Sequence, residues 1–146
     1  MKIRCSALIL RHNKLLFLQY NYAGGPVYCL PGGGLNPGET LTQALARELL
    51  EELGFEDPRI GPLTFATEVL DAPNLMPTLH LVFSVEVQGE PQVNPAETKA
   101  DGWIWLDRES LEQEALYPPI NAAIQTWLAG SPLPCYLGPA PKRIWK

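Results

Sequence analysis

Cationic charge is scarce in this 146-residue chain: eleven Lys and Arg stand against sixteen Asp and Glu, for a formal charge of −5. That balance argues against a protein whose main partner is a nucleic-acid polymer or an anionic membrane. Cysteine is scarce too. Cys5, Cys29 and Cys135 are odd in number and lack Cys-x-x-Cys spacing, which signals neither a disulfide framework nor a zinc cluster and suits a reducing, cytoplasmic setting. No apolar run nears the roughly eighteen residues of a spanning helix. Ala7 to Leu10 follows Lys2 and Arg4 as in a signal peptide, but Arg11, His12 and Asn13 cut the run short, so no export is expected. Histidine is limited to His12 and His80, read as surface and sheet residues; no motif sets a serine or cysteine nucleophile beside them, so a hydrolase triad has no support. Internal repeats are absent. With 46% apolar and 18% charged residues, the composition is that of an ordinary globular protein of about one domain.

What is present alternates strands with helices. Ile3 to Leu10 and Lys14 to Gln19 are β-rich runs joined by a turn at Asn13. Tyr20 to Pro26 reads as a loop, and Val27 to Leu30 as a short strand feeding the loop Pro31-Gly32-Gly33-Gly34. Thr40 to Leu53 holds Leu41, Leu45, Leu49 and Leu53 at i+4 spacing and ends at Gly54, which predicts a helix with a glycine C-cap. Ile60 to Leu70, Leu79 to Val87 and Trp103 to Leu106 are further strands; the alternation of Leu79, Leu81, Phe83, Val85 and Val87 with polar neighbours has a period of two. A second helix opens at Pro118 or Pro119 and runs to about Ala129. Gly130 to Lys146, rich in proline, reads as an extended tail, leaving a domain over 1–130 and a tail over 131–146.

The first helix carries an anomaly. On a wheel of about 100° per residue, Glu48, Glu51 and Glu52 crowd one arc bordering the leucine stripe, with Glu52 between Leu41 and Leu45. They repel one another at i+3 and i+4 and lie near the C-terminus, where the macrodipole also disfavours negative charge. The helix has no lysine; Arg47, its one cation, is one charge against three and is offset from Glu51. Clustered carboxylates select a hard divalent ion, and Mg²⁺ commonly joins such carboxylates to substrate phosphates. The glycine loop lets backbone approach a ligand closely, and Glu39 stands at the helix entrance, where free N–H groups attract a carboxylate.

Gly33, five residues, Glu39, seven residues, Arg47-Glu48-Leu49, one residue, Glu51-Glu52, one residue and Gly54-Phe55 together resemble the Nudix box over residues 33–55. Leu30-Pro31-Gly32 resembles the family's approach to it. The resemblance implies an α/β/α sandwich around a mixed sheet, and Mg²⁺-dependent hydrolysis of nucleoside diphosphates linked to another group, with Mn²⁺ as a substitute ion. It implies Glu48, Glu51 and Glu52 as metal ligands, the Gly32 carbonyl as another, Arg47 as the residue holding the glutamates, and Gly33 beside the substrate. One glutamate takes a proton from the attacking water, and Glu48 is favoured.

Glu97 stands where MutT-type members carry a further ligand, and Glu68 competes with it. Pro118, Pro119 and Asn121 resemble the Pro-Pro-x-Asn of MutT-type enzymes, whose asparagine reads an oxidised guanine; Asn121 reads equally well as an early-helix polar residue. Trp103 and Trp105 read as packing. Lys142, Arg143 and Lys146 read as part of a frayed tail. The leading expectation is cleavage of a nucleoside triphosphate, a purine first, to monophosphate and pyrophosphate. ADP-ribose or another nucleoside diphosphate sugar is the alternative, and a nucleotide-sensing module without turnover is the reading from another class. The partners expected are a small nucleotide and, in a homodimer, a second copy of the chain.

Overall fold

A computed structural model describes residues 1–141. The elements are β1 (Lys2–Leu8), β2 (Leu10–Arg11), β3 (Lys14–Tyr22), β4 (Gly25–Cys29), β5 (Gly32–Gly34), α1 (Leu41–Leu53), β6 (Arg59–Val69), β7 (Thr78–Glu86), β8 (Gly102–Asp107), a 3-10 helix (Arg108–Gln113), α2 (Asn121–Leu128) and β9 (Tyr136–Pro139). One sheet has the order β5-β1-β7-β6-β9, with β1 parallel to β7 and antiparallel to β5. In the other, β3 pairs with β2, β4 and β8.

The sheets lie between two cores because alternate residues of their strands point opposite ways. Cys5, Ala7, Leu16, Leu18, Phe83 and Val85 meet Leu45, Leu49 and Leu53 of α1. Leu8, Leu15, Phe17, Phe65 and Val82 meet Ile120 and Ile124 at α2. The expected mixed α/β sandwich is therefore the fold found. Three leucines of α1 are wholly buried, each stabilising by about 1.5–3 kcal/mol relative to exposure.

The expected run from Ile3 to Leu10 divides at Ile9: β1 belongs to the five-stranded sheet, β2 to the other. His12 and Asn13 make the hairpin turn with φ of 51° and 62°. The glycine segment, expected as a loop, is strand β5, with Cys5 opposite Gly33 and Ser6 opposite Gly32. Only glycine fits this close approach, since a Cβ on Gly32 would strike the Cys5 carbonyl. His80, expected as a sheet residue, lies in β7 and is 3% exposed, because that strand is central and covered on both faces. Helix α2 starts at Asn121, since Ile120 first closes a tight turn onto the Pro118 carbonyl at 2.8 Å. Part of the expected tail is ordered as β9, parallel to β6. Lys142, Arg143 and Lys146 lie outside the described residues.

Candidate active site

Helix α1 begins with a capping box: Thr40 accepts from the Gln43 amide at 3.2 Å, and Gln43 accepts from the Thr40 amide at 3.0 Å. Gly54 ends it in the left-handed conformation with φ 74°. Between these stops the helix presents Arg47, Glu48, Glu51 and Glu52 beside strand β5 and the loop leading from it.

Arg47 gathers this region. Its Nε donates to Glu39 at 2.7 Å, Nη1 to Glu48 at 2.9 Å and Glu51 at 3.2 Å, and Nη2 to Glu39 at 3.0 Å and the Gly34 carbonyl at 2.9 Å. The offset from Glu51 drawn on the helical wheel is thus overcome, because the guanidinium fork reaches sideways to three carboxylates. Glu39 does not cap the helix. Thr40 holds that place, while Glu39 accepts from the Asn36 amide at 2.7 Å and from Arg47, bonds that lower its carboxyl below the usual range. The bonds to Glu39 in turn raise Arg47 above its ordinary value.

Glu48 and Glu52 are different. A Cβ on Gly33 would fall on the Glu48 carboxylate, so the bare backbone of β5 lies directly against that group. Glu52 is 5% exposed, and its Oε1 is buried with no hydrogen-bond partner among the described residues. Burial pushes its carboxyl up; Arg4 opposes the rise, neighbouring Glu48 adds to it, and the Thr98 hydroxyl opposes it. An orphaned carboxylate oxygen beside a second carboxylate is costly unless something cationic arrives. The chemistry of this carboxylate set therefore suits a hard divalent ion. Among the described residues no three acidic, His or Cys side chains already converge to enclose one; Arg47 takes up Glu48 and Glu51 instead.

The other expected site residues fall as follows. Gly32 pairs with Ser6 and is buried beside Gly33. Glu97 is exposed in a turn whose segment is fastened to the end of α1, with the Gln92 amide on the Leu53 carbonyl at 3.0 Å and the Asn94 amide on the Glu52 carbonyl at 3.2 Å. Glu68 is separated from β5 by β1 and β7, and it accepts from the Tyr136 hydroxyl. Asn121 spends its amide on the carbonyls of Leu111 at 2.7 Å and Glu114 at 3.0 Å. Trp105 packs on the α1 core with Arg11 5.0 Å from its ring centroid, whereas Trp103 is 37% exposed. A cleft of about 190 Å³ is lined by Val69, Asp71, Tyr117, Pro119 and Pro139, among others.

The profile of the NUDIX domain matches residues 2–128. The chain belongs to the NUDIX domain family. It is a hydrolase acting on phosphoanhydride bonds. This Nudix hydrolase is 32% identical over 79 residues to a Bacillus subtilis protein named for an 8-oxo-dGTP diphosphatase; the match takes in 54% of the chain and 50% of that protein. It is 25% identical over 134 residues to the phosphatase NudJ of Escherichia coli, covering 90% of the chain and 86% of NudJ. The crystal structure of a MutT NUDIX hydrolase from Burkholderia pseudomallei superposes with a TM-score of 0.69 at 26% identity, covering 85% of this chain and 96% of that one.

Sequence reasoning missed two neighbours of the site. Arg4 and Thr98 act on Glu52 from β1 and from the loop before β8. Neither stands at a motif position, so only the folded chain brings them there.

Proposed function

We propose that this Nudix hydrolase is a Mg²⁺-dependent pyrophosphohydrolase that converts a purine nucleoside triphosphate, oxidised purines included, to the monophosphate and pyrophosphate. The observation that carries the reading is the buried, unpartnered Oε1 of Glu52 beside Glu48, on a helix whose other carboxylates are gathered by Arg47. Bound to Glu48, Glu51, Glu52 and the Gly32 carbonyl, with Glu97 as a further candidate in place of the distant Glu68, Mg²⁺ would neutralise phosphate charge and acidify a water; Mn²⁺ has the same oxygen preference.

The chain's own residues supply the rest. Glu48 accepts the proton of the attacking water as its oxygen bonds to phosphorus; the bridging P–O bond breaks and its electrons leave with the departing group. Arg47 holds Glu39, Glu48 and Glu51 against their mutual repulsion through the reaction. Gly33, lacking a side chain, lets the Glu48 carboxylate lie against the backbone of β5, where the substrate diphosphate would meet it. The cleft at Tyr117 and Pro119 offers an aromatic face for a base. The name of the Bacillus subtilis relative favours an oxidised guanine nucleotide as the first substrate to test.

A panel of canonical and oxidised nucleoside triphosphates, ADP-ribose, NADH and dinucleoside polyphosphates, assayed with Mg²⁺ and products identified by mass, tests this. Monophosphate and pyrophosphate from a purine triphosphate are expected. Activity confined to ADP-ribose overturns the substrate, and nucleotide binding without turnover overturns catalysis.

A further inference from the structure

Arg4 lies between the carboxylates of α1 and the Tyr117 cleft. On β1 it stands in register with Gly34 of β5 on one side and His80 of β7 on the other. Among the described residues its guanidinium makes a single hydrogen bond, from Nη2 to the Leu30 carbonyl at 3.2 Å. Among the described residues the ion pairs belong to Arg11, Lys14 and Arg47, and Arg4 is in none of them. A half-buried guanidinium has five N–H donors and loses much of its hydration, so leaving most of them uncommitted favours an anion with several oxygens.

The charge of Arg4 is felt on both flanks. It restrains the rise of Glu52 on the α1 side, and on the other it helps keep the His80 imidazole uncharged, after burial, with its pKa down at about 4. His80 is buried with neither ring nitrogen hydrogen-bonded among the described residues, and it meets Tyr117 edge-on at 6.2 Å between centroids. Tyr117 in turn lines the cleft. A cation placed on this line, with an acidic cluster before it and a polar, aromatic cleft after it, matches a ligand that has phosphate at one end and a nucleoside at the other.

From this placement we infer that Arg4 seats the phosphate that carries the nucleoside, fixing the substrate between the carboxylates of α1 and the Tyr117 cleft. This rests on the reading of the chain as a nucleotide hydrolase and adds a substrate-positioning residue outside residues 33–55. The bond to Leu30 orients the guanidinium from behind, since Leu30 leads directly into β5.

Calorimetric titration of the metal-free protein with a purine nucleoside 5′-monophosphate and with the bare nucleoside separates the phosphate contact from everything else. Arg4→Gln is expected to weaken the monophosphate by about tenfold, the loss of a charge-assisted contact, and to leave the nucleoside within about twofold. In the Mg²⁺ assay KM should rise by a similar factor. Arg4→Lys keeps the charge but not the fork, so it should recover part of the affinity and serves where the glutamine variant does not fold. Equal monophosphate affinity in wild type and variants overturns the assignment. So does a parallel loss of both ligands, which would make Arg4 a strap for Leu30, and so does a wild type that binds neither. A wild type that binds the monophosphate through Arg4 but hydrolyses no triphosphate refutes the proposed reaction and leaves the contact standing.

Discussion

The Glu48 carboxylate occupies the space that a side chain on Gly33 would need. Strand β5 is glycine there because the helix presses a charged group onto its backbone, not because the chain has to turn. Gly33→Ala therefore displaces Glu48 while every charged residue of the site keeps its identity. The expected result is a fall in kcat of about 100-fold, the scale of a displacement near 1 Å at a reacting group, with the circular dichroism spectrum retained. Mg²⁺ titration of the same variant should show weakened uptake. Unchanged kcat would detach Glu48 from the chemistry.

Arg47 and Glu39 form a pair eight residues apart, and the same guanidinium reaches Glu48 and Glu51. Arg47→Lys keeps a positive charge but cannot span three carboxylates and the Gly34 carbonyl at once. It is expected to lose activity by about 10- to 100-fold, mainly in kcat, and to lower the melting temperature. Glu39→Gln should lose less, since it leaves Arg47 with Glu48 and Glu51. Equal losses in the two variants would show that Glu39, not the helix pairing, dominates.

Helix α1 was legible because its signals agree: leucines at i+4 from Thr40 onward and Gly54 at the end. The crowding of Glu48, Glu51 and Glu52 was legible for the same reason, since the helix alone sets their angles. Strand β5 was not, because three glycines carry no strand pattern and their pairing with Cys5 and Ser6 depends on a distant segment. His80 falls in a strand as expected, but its burial was not legible, because it depends on β7 being central and covered on both faces. The reach of Arg47 to Glu39 was hidden by the loop at Asn36 to Gly38, whose fold, not its sequence spacing, returns Glu39 to the helix. Strand β9 was hidden among prolines; it joins the sheet through pairing with β6.

His80 gives the protein an acid limb. Burial, with Arg4 and Lys2 adding to it, lowers its pKa from an ordinary value of 6.5 to about 4. Above 6.5 the imidazole is neutral in both folded and unfolded chains and contributes no pH dependence. As pH falls from 6.5 toward 4, the unfolded chain takes a proton that the folded one refuses, so stability is lost across that window, by up to about 3 kcal/mol. Chemical denaturation from pH 7 to pH 4 measures it. His80→Phe is expected to flatten this limb. An unchanged limb would assign the acid sensitivity elsewhere.

Glu52 acts with the opposite sign. Its carboxyl is raised in the folded protein by burial, so the folded chain holds a proton the unfolded one releases. The metal-free protein therefore loses stability as pH rises from the ordinary carboxylate value of 4.5 through the raised one. Glu52→Gln removes this slope together with the buried charge and its repulsion with Glu48, which should stabilise the metal-free protein at neutral pH by about 1–3 kcal/mol. The same change should abolish most hydrolysis and most of the stabilisation that Mg²⁺ confers on the wild type. Mg²⁺ uptake by the wild type should also release a proton, visible as a binding heat that varies with the buffer's ionisation enthalpy. Glutamine thus improves the fold and ruins the site, the pattern expected where a carboxylate is kept buried for a ligand and not for packing. A glutamine variant less stable than wild type without metal would mean that Glu52 is satisfied by the protein itself, and its role as an ion holder would fall.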